Sequence, residues 1–153
     1  MLRRLPLVLL AGLLAFLLVS PRAAAQESNV KTVEGPGAGE KTTLMASPRP
    51  LTPEISARAV GVRTPNGTRW ALTLIGIGSA DSLKLTMGDQ TLPIKDINRP
   101  DEGEVGPTRL YVSQKTFLTI AETNTVQLYV DSVKTGLPEQ MRKEMQLIFE
   151  RVV

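Results

Sequence analysis

The sequence predicts an α+β protein: a mostly antiparallel sheet of five or six strands, with a short helix and a C-terminal amphipathic helix on one face. Three observations carry that reading. From Thr68 to Ile77, Trp70, Leu72 and Leu74 alternate with Ala71, Thr73 and Ile75, the period of a strand with one covered face. Pro65-Asn66-Gly67 stands just before that run, and Asn-Gly between β-prone segments is a hairpin turn. Near the C-terminus Met141, Met145, Ile148 and Val152 recur at spacings of four, three and four, which is one face of a helix.

The chain opens on a different pattern. Arg3 and Arg4 precede an apolar run from Leu5 to Val19, followed by Ser20, Pro21 and Ala23-Ala24-Ala25. A basic start, a run short of a bilayer span and an Ala-x-Ala site describe a secretory signal peptide over residues 1–25, cleaved after Ala25. No cysteine follows the run, which excludes a lipid anchor attached there, and its leucine-rich character points to the general secretory route rather than twin-arginine export. The address this implies is periplasmic or extracellular. An exported chain with no cysteine holds its core by packing alone, which suits a bacterial envelope protein.

Residues 26–54 show neither periodicity. Gly35, Pro36, Gly37 and Gly39, then Pro48, Pro50 and Pro53, predict a flexible linker that stiffens towards its end. A single α+β domain is expected over residues 55–153. Its first strand reads from Ala57 to Arg63 and its second from Thr68 onward, until Gly76 and Gly78 loosen it. Leu83, Leu85 and Met87 mark a third, and Leu92 and Ile94 a fourth that Pro93 assigns to an edge or a bulge. Residues 98–107 form a polar loop, and Thr108 to Val112 a short fifth strand. Ser113 caps a helix over Gln114 to Glu122, with Phe117, Ile120 and Ala121 inward. A sixth strand spans Thr125 to Val133. Gly136 and Pro138 then open the last helix, with Glu139 placed favourably for the dipole.

Charge and chemistry narrow the function. Of the 18 Lys and Arg residues, Arg3, Arg4 and Arg22 belong to the leader, so 15 face 15 Asp and Glu in the processed chain. That balance gives no support to a nucleic-acid partner, and membrane contact is expected only through the leader before cleavage. The absence of His and Cys removes histidine-dependent nucleophilic catalysis and the common zinc and copper sites; no cofactor or metal is implied. Ser28 and Lys31 have the Ser-x-x-Lys spacing but lie in the linker with no helix to align them. Ser82-Leu83-Lys84 and Ser132-Val133-Lys134 read as ordinary solvated strand faces. Gly76-Ile77-Gly78 lacks the third glycine of a dinucleotide fingerprint and reads as a strand kink. In the acidic loop 96–104, Asp96, Asn98, Asp101 and Glu104 offer calcium oxygens, but Pro100 and Arg99 break the pattern, which favours a solvated connection.

The expected function is therefore a non-catalytic binding or assembly module of the bacterial periplasm or envelope. The alternatives are a carboxylate-dependent hydrolase or lytic enzyme, and a small inhibitor or chaperone of another exported protein. If Trp70, Leu72, Leu85, Leu110, Leu128 and Val130 face the helices, alternation sends Thr73, Ile75, Lys84, Tyr111, Gln127 and Tyr129 to the opposite, solvated side. Two tyrosines among polar residues make that side the candidate partner-binding face, for another envelope protein or a glycan.

Overall fold

The computed structural model describes residues 30–35 and 41–153; the leader and its cleavage site, and Ser28, lie outside the described residues. Along the chain follow β1 (Val30–Glu34), β2 (Thr42–Ala46), β3 (Arg49–Pro50), β4 (Ser56–Thr64), β5 (Gly67–Ile75), β6 (Leu83–Met87), β7 (Gln90–Leu92), β8 (Asp96–Asn98) and β9 (Thr108–Val112). Then come α1 (Gln114–Glu122), β10 (Val126–Val130), β11 (Val133–Gly136) and α2 (Glu139–Val152). The α+β class and the two helices, one short and one C-terminal, are as the sequence predicts.

The strands divide between two antiparallel sheets. Sheet A runs β1-β2-β4-β5-β9-β8, with β3 also paired to β4; sheet B runs β11-β10-β6-β7. At the centre of sheet A is the β4–β5 hairpin, in register from Ser56↔Ile75 to Thr64↔Gly67. Gly67 holds φ 125°, open to glycine and strained for other residues. The division into two sheets begins at Gly76. With φ 85°, and with the carbonyl oxygen of Glu54 2.2 Å from where a Cβ would stand, only glycine fits, and the chain turns out of sheet A there.

Three expectations are corrected by these pairings. Residues 30–34, 42–46 and 49–50, read as linker, are strands: β1 and β2 form an antiparallel pair, and β2 and β3 both pair with β4, so the sheet begins well before Ile55. Their Gly and Pro content hides a two-residue alternation, since Val30, Leu44 and Ala46 are buried and supply the apolar contacts that offset ordering. The expected strand from Thr125 to Val133 is a hairpin, because Asp131 takes φ 51° and reverses the chain into β11. Asp96 to Asn98, read as the start of the acidic loop, is edge strand β8, paired with β9.

One hydrophobic core lies between sheet A, sheet B and the helices. Both helix faces are as the sequence predicts: Phe117, Ile120 and Ala121 of α1, and Met141, Met145, Ile148 and Val152 of α2, are buried. Ser113 caps α1, its Oγ accepting from the Thr116 amide at 3.0 Å. Trp70 packs between the rings of Phe117 and Phe149, at centroid distances of 4.8 and 5.3 Å. Small residues on β4 let α2 approach. Ala57 and Ala59 are fully buried, and a Cβ on Gly61 would stand 2.7 Å from Ile148 Cγ2.

Candidate functional site

The six residues of the expected binding face do not share one surface. Thr73, Ile75 and Tyr111 lie on sheet A, whereas Lys84, Gln127 and Tyr129 lie on sheet B. The physical reason is pairing: β6 and β10 bond to each other and to β7 and β11, and to neither β5 nor β9. Thr73 is moreover fully buried, and its hydroxyl has no hydrogen-bond partner. Ile75 is exposed, while the two tyrosines and Gln127 are half-buried.

Sheet A has a side turned away from the helices, and strand register fixes its composition. Met45, Val60, Ala71, Tyr111 and Asp96 stand in one row across five strands. Arg58, Thr73, Arg109 and Asn98 form the row on one side, and Thr43, Val62 and Arg69 the row on the other. Val60 and Ala71 are the two buried apolar residues that take no part in the core, which sets them on this outer side. Longer side chains stand beside them in the neighbouring rows, Arg58 and Arg69 among them. The Arg69 guanidinium stacks over the Tyr111 ring, 4.0 Å from its centroid, and an Arg58 Nη donates weakly to Met45 Sδ at 3.7 Å.

The charges of this face are mostly positive. Lys31, Arg58, Arg69 and Arg109 stand on it with one carboxylate, Asp96, whose Oδ1 accepts from the Ile97 amide at 2.9 Å. Among the described residues none of these four cations makes a salt bridge, and Arg58 Nε is buried without an acceptor. Beside the face, a cleft of about 350 Å³ opens between Arg69, Tyr111, Lys95, Asp96 and the start of α1.

Sheet B presents a smaller solvated side. Lys134, Tyr129 and Lys84 stand in register on β11, β10 and β6, and both ammonium groups lie over the Tyr129 ring, at 5.7 and 5.8 Å from its centroid. Gln127 stands between Thr86 and Gly136 in the next row.

A contrasting arginine sits inside. Arg49 on β3 reaches Glu144 on α2, its Nε 3.2 Å from Oε1, and a further bond joins an Nη to the same oxygen. Glu144 has no exposure and the Arg49 side chain 25%. The hydrogen bond to Glu144 raises the Arg49 guanidinium pKa above its ordinary value, against the opposing effect of burial. Sequence periodicity missed Glu144, which sits next to Met145 on the apolar side of α2; its one signal is an acid inside the width of that stripe.

The acidic loop borders a cleft of about 550 Å³ that also takes in Asp81, Asp101, Glu102 and Glu104. Asp96 and Asn98 belong to β8 instead, and Arg99 is tied to the backbone carbonyls of Ala80 and Asp81. Among the described residues no three carboxylates are placed to hold a metal ion. All four carboxylates of the cleft are exposed.

Compared with protein-family models, with curated proteins and with solved structures, the chain matches none.

Proposed function

We propose that the protein is a non-catalytic binding or assembly module of the bacterial periplasm or envelope, and that its partner docks on the outer side of sheet A. One observation carries the reading: Val60 and Ala71 are buried outside the core, among arginines that have no ion-pair partner. A sheet face that is only solvated has no use for an apolar centre, and mixed apolar and arginine-rich patches are what protein interfaces are made of. The address rests on the leader read in residues 1–25.

The test compares the two tyrosines in whatever envelope protein or glycan co-purifies with the native form. Tyr111→Ala is expected to abolish capture and Tyr129→Ala to leave it intact, with both variants folded. Capture unchanged by Tyr111→Ala would overturn the reading, and capture lost through Tyr129→Ala alone would move the site to sheet B.

The acidic cleft favours a second reading, a hydrolase working through carboxylates. It carries less because all four carboxylates are exposed on a loop, with no enclosed site to hold a substrate against them. Hydrolysis of an envelope glycan that disappears in an Asp101→Asn, Glu104→Gln double variant would establish it.

A further inference from the structure

The charge on the outer side of sheet A says what kind of partner it fits. The processed chain is expected to be neutral, yet its charges are sorted: four cations and one carboxylate share this face, while Asp101, Glu102 and Glu104 lie together on a loop elsewhere. Two of the cations are fixed by register. Arg58 and Arg109 flank Thr73 on adjacent strands, so their Cα atoms stand about 10 Å apart, with no carboxylate between them. Like charges so placed repel, and among the described residues the one carboxylate of the face, Asp96, forms no ion pair with either. The Thr73 hydroxyl and Arg58 Nε, neighbours in that row, both lack an acceptor. One strand-repeat away, about 7 Å, runs the apolar row through Val60 and Ala71.

We infer that the partner is an acidic amphipathic segment of another protein, its carboxylates received by Arg58 and Arg109 and its apolar side chains by the half-buried Met45 and Tyr111 in the row through Val60 and Ala71. This rests on the docking face proposed above and names its chemistry. Guanidinium forks suit carboxylates, and paired donors of this kind give both orientation and strength. A protein segment fits better than a membrane surface. Val60 and Ala71 are buried, so the centre of the face has no apolar groups to insert into lipid.

The probes are a labelled synthetic peptide of glutamate and leucine, the same peptide with glutamine for glutamate, and vesicles of phosphatidylcholine and phosphatidylglycerol in equal parts. Binding to the purified protein is followed by fluorescence anisotropy and by amide chemical shifts. The glutamate peptide is expected to perturb β4, β5 and β9 and to weaken as salt rises, while the glutamine peptide and the vesicles bind at least tenfold less. Arg58→Gln with Arg109→Gln should weaken the glutamate peptide roughly tenfold or more, and Lys84→Gln with Lys134→Gln should not. Equal binding of the glutamine peptide with shifts on the same strands overturns the acidic partner and leaves the face standing. Shifts confined to other strands overturn both. Binding to vesicles but not to the peptide assigns the face to a lipid surface and overturns the inference.

Discussion

The two sides of sheet A are made by the same strands and differ in almost everything else. Inward, β4 offers Ala57, Ala59 and Gly61, and β5 offers Trp70, Leu72 and Leu74, a stepped surface into which α2 and α1 fit. Outward, the alternate positions of the same strands hold Arg58, Val60, Val62, Arg69, Ala71 and Thr73. The inner arginine, Arg49, bonds to a buried carboxylate, whereas among the described residues the outer arginines make no ion pair. The buried Glu144 is thus matched by a cation from β3, while Arg69 and Arg109 stand exposed on the outer side and Arg58 keeps a buried Nε without an acceptor. Single substitutions can break or sharpen that contrast.

The largest effect is expected at the inner contact. Met145 is fully buried, and its burial contributes roughly 1.5 to 3 kcal/mol; Met145→Asp adds an unpaired charge against the sheet, so cooperative unfolding by circular dichroism should be lost. Next come the partners of the inner ion pair, which should respond unequally. Arg49→Ala strands the fully buried Glu144 and should cost about 3 kcal/mol in denaturant unfolding. Glu144→Gln leaves an arginine that can reach water, and should cost about 1 kcal/mol. Equal costs would mean that Glu144 is less enclosed than its contacts require.

Gly61→Ala measures how closely helix and sheet are fitted. The new methyl meets Ile148 Cγ2 at 2.7 Å and Val152 Cγ2 at 3.2 Å, and about 1 to 3 kcal/mol of overpacking is expected. The smallest effect belongs to the outer side. Thr73→Val removes a buried hydroxyl that bonds to nothing and keeps the side chain's shape, so stability should stay within about 1 kcal/mol of the parent or rise. A clear loss would reveal a partner for that hydroxyl and place Thr73 with the structural residues.

What the sequence discloses about this molecule follows from where periodicity is strong. The alternation through Trp70, Leu72 and Leu74, the Asn66-Gly67 turn, the Ser113 cap and the methionine stripe of α2 are local signals, and the structure carries each of them. The second sheet is not local. Whether β6 joins β5 or β10 depends on the turn at Gly76, and composition cannot say which neighbour a strand will choose. The strands before Ile55 are hidden for a similar reason: β1 and β2 are short, glycine and proline surround them, and most of β1 is exposed because it is an edge. The candidate face shows the limit most plainly. Tyr111 could be assigned to an outward position from its own strand, but Arg58 and Arg109 become its neighbours only through the register of β4, β5 and β9.

The bond between Arg49 and Glu144 joins residues 95 positions apart, and α2 also packs on β1, β2 and β4. Strands β1, β2 and β4 are thus closed over by a helix far from them in sequence. Such long-range closure is slow, because loop entropy must be met before the contacts reward it. Until α2 docks, the inner side of β4, with Ala57, Ala59 and Gly61, lacks the cover it has in the folded chain. Closure of the fold is in this sense one event, waiting on contacts that span nearly all of the described sequence.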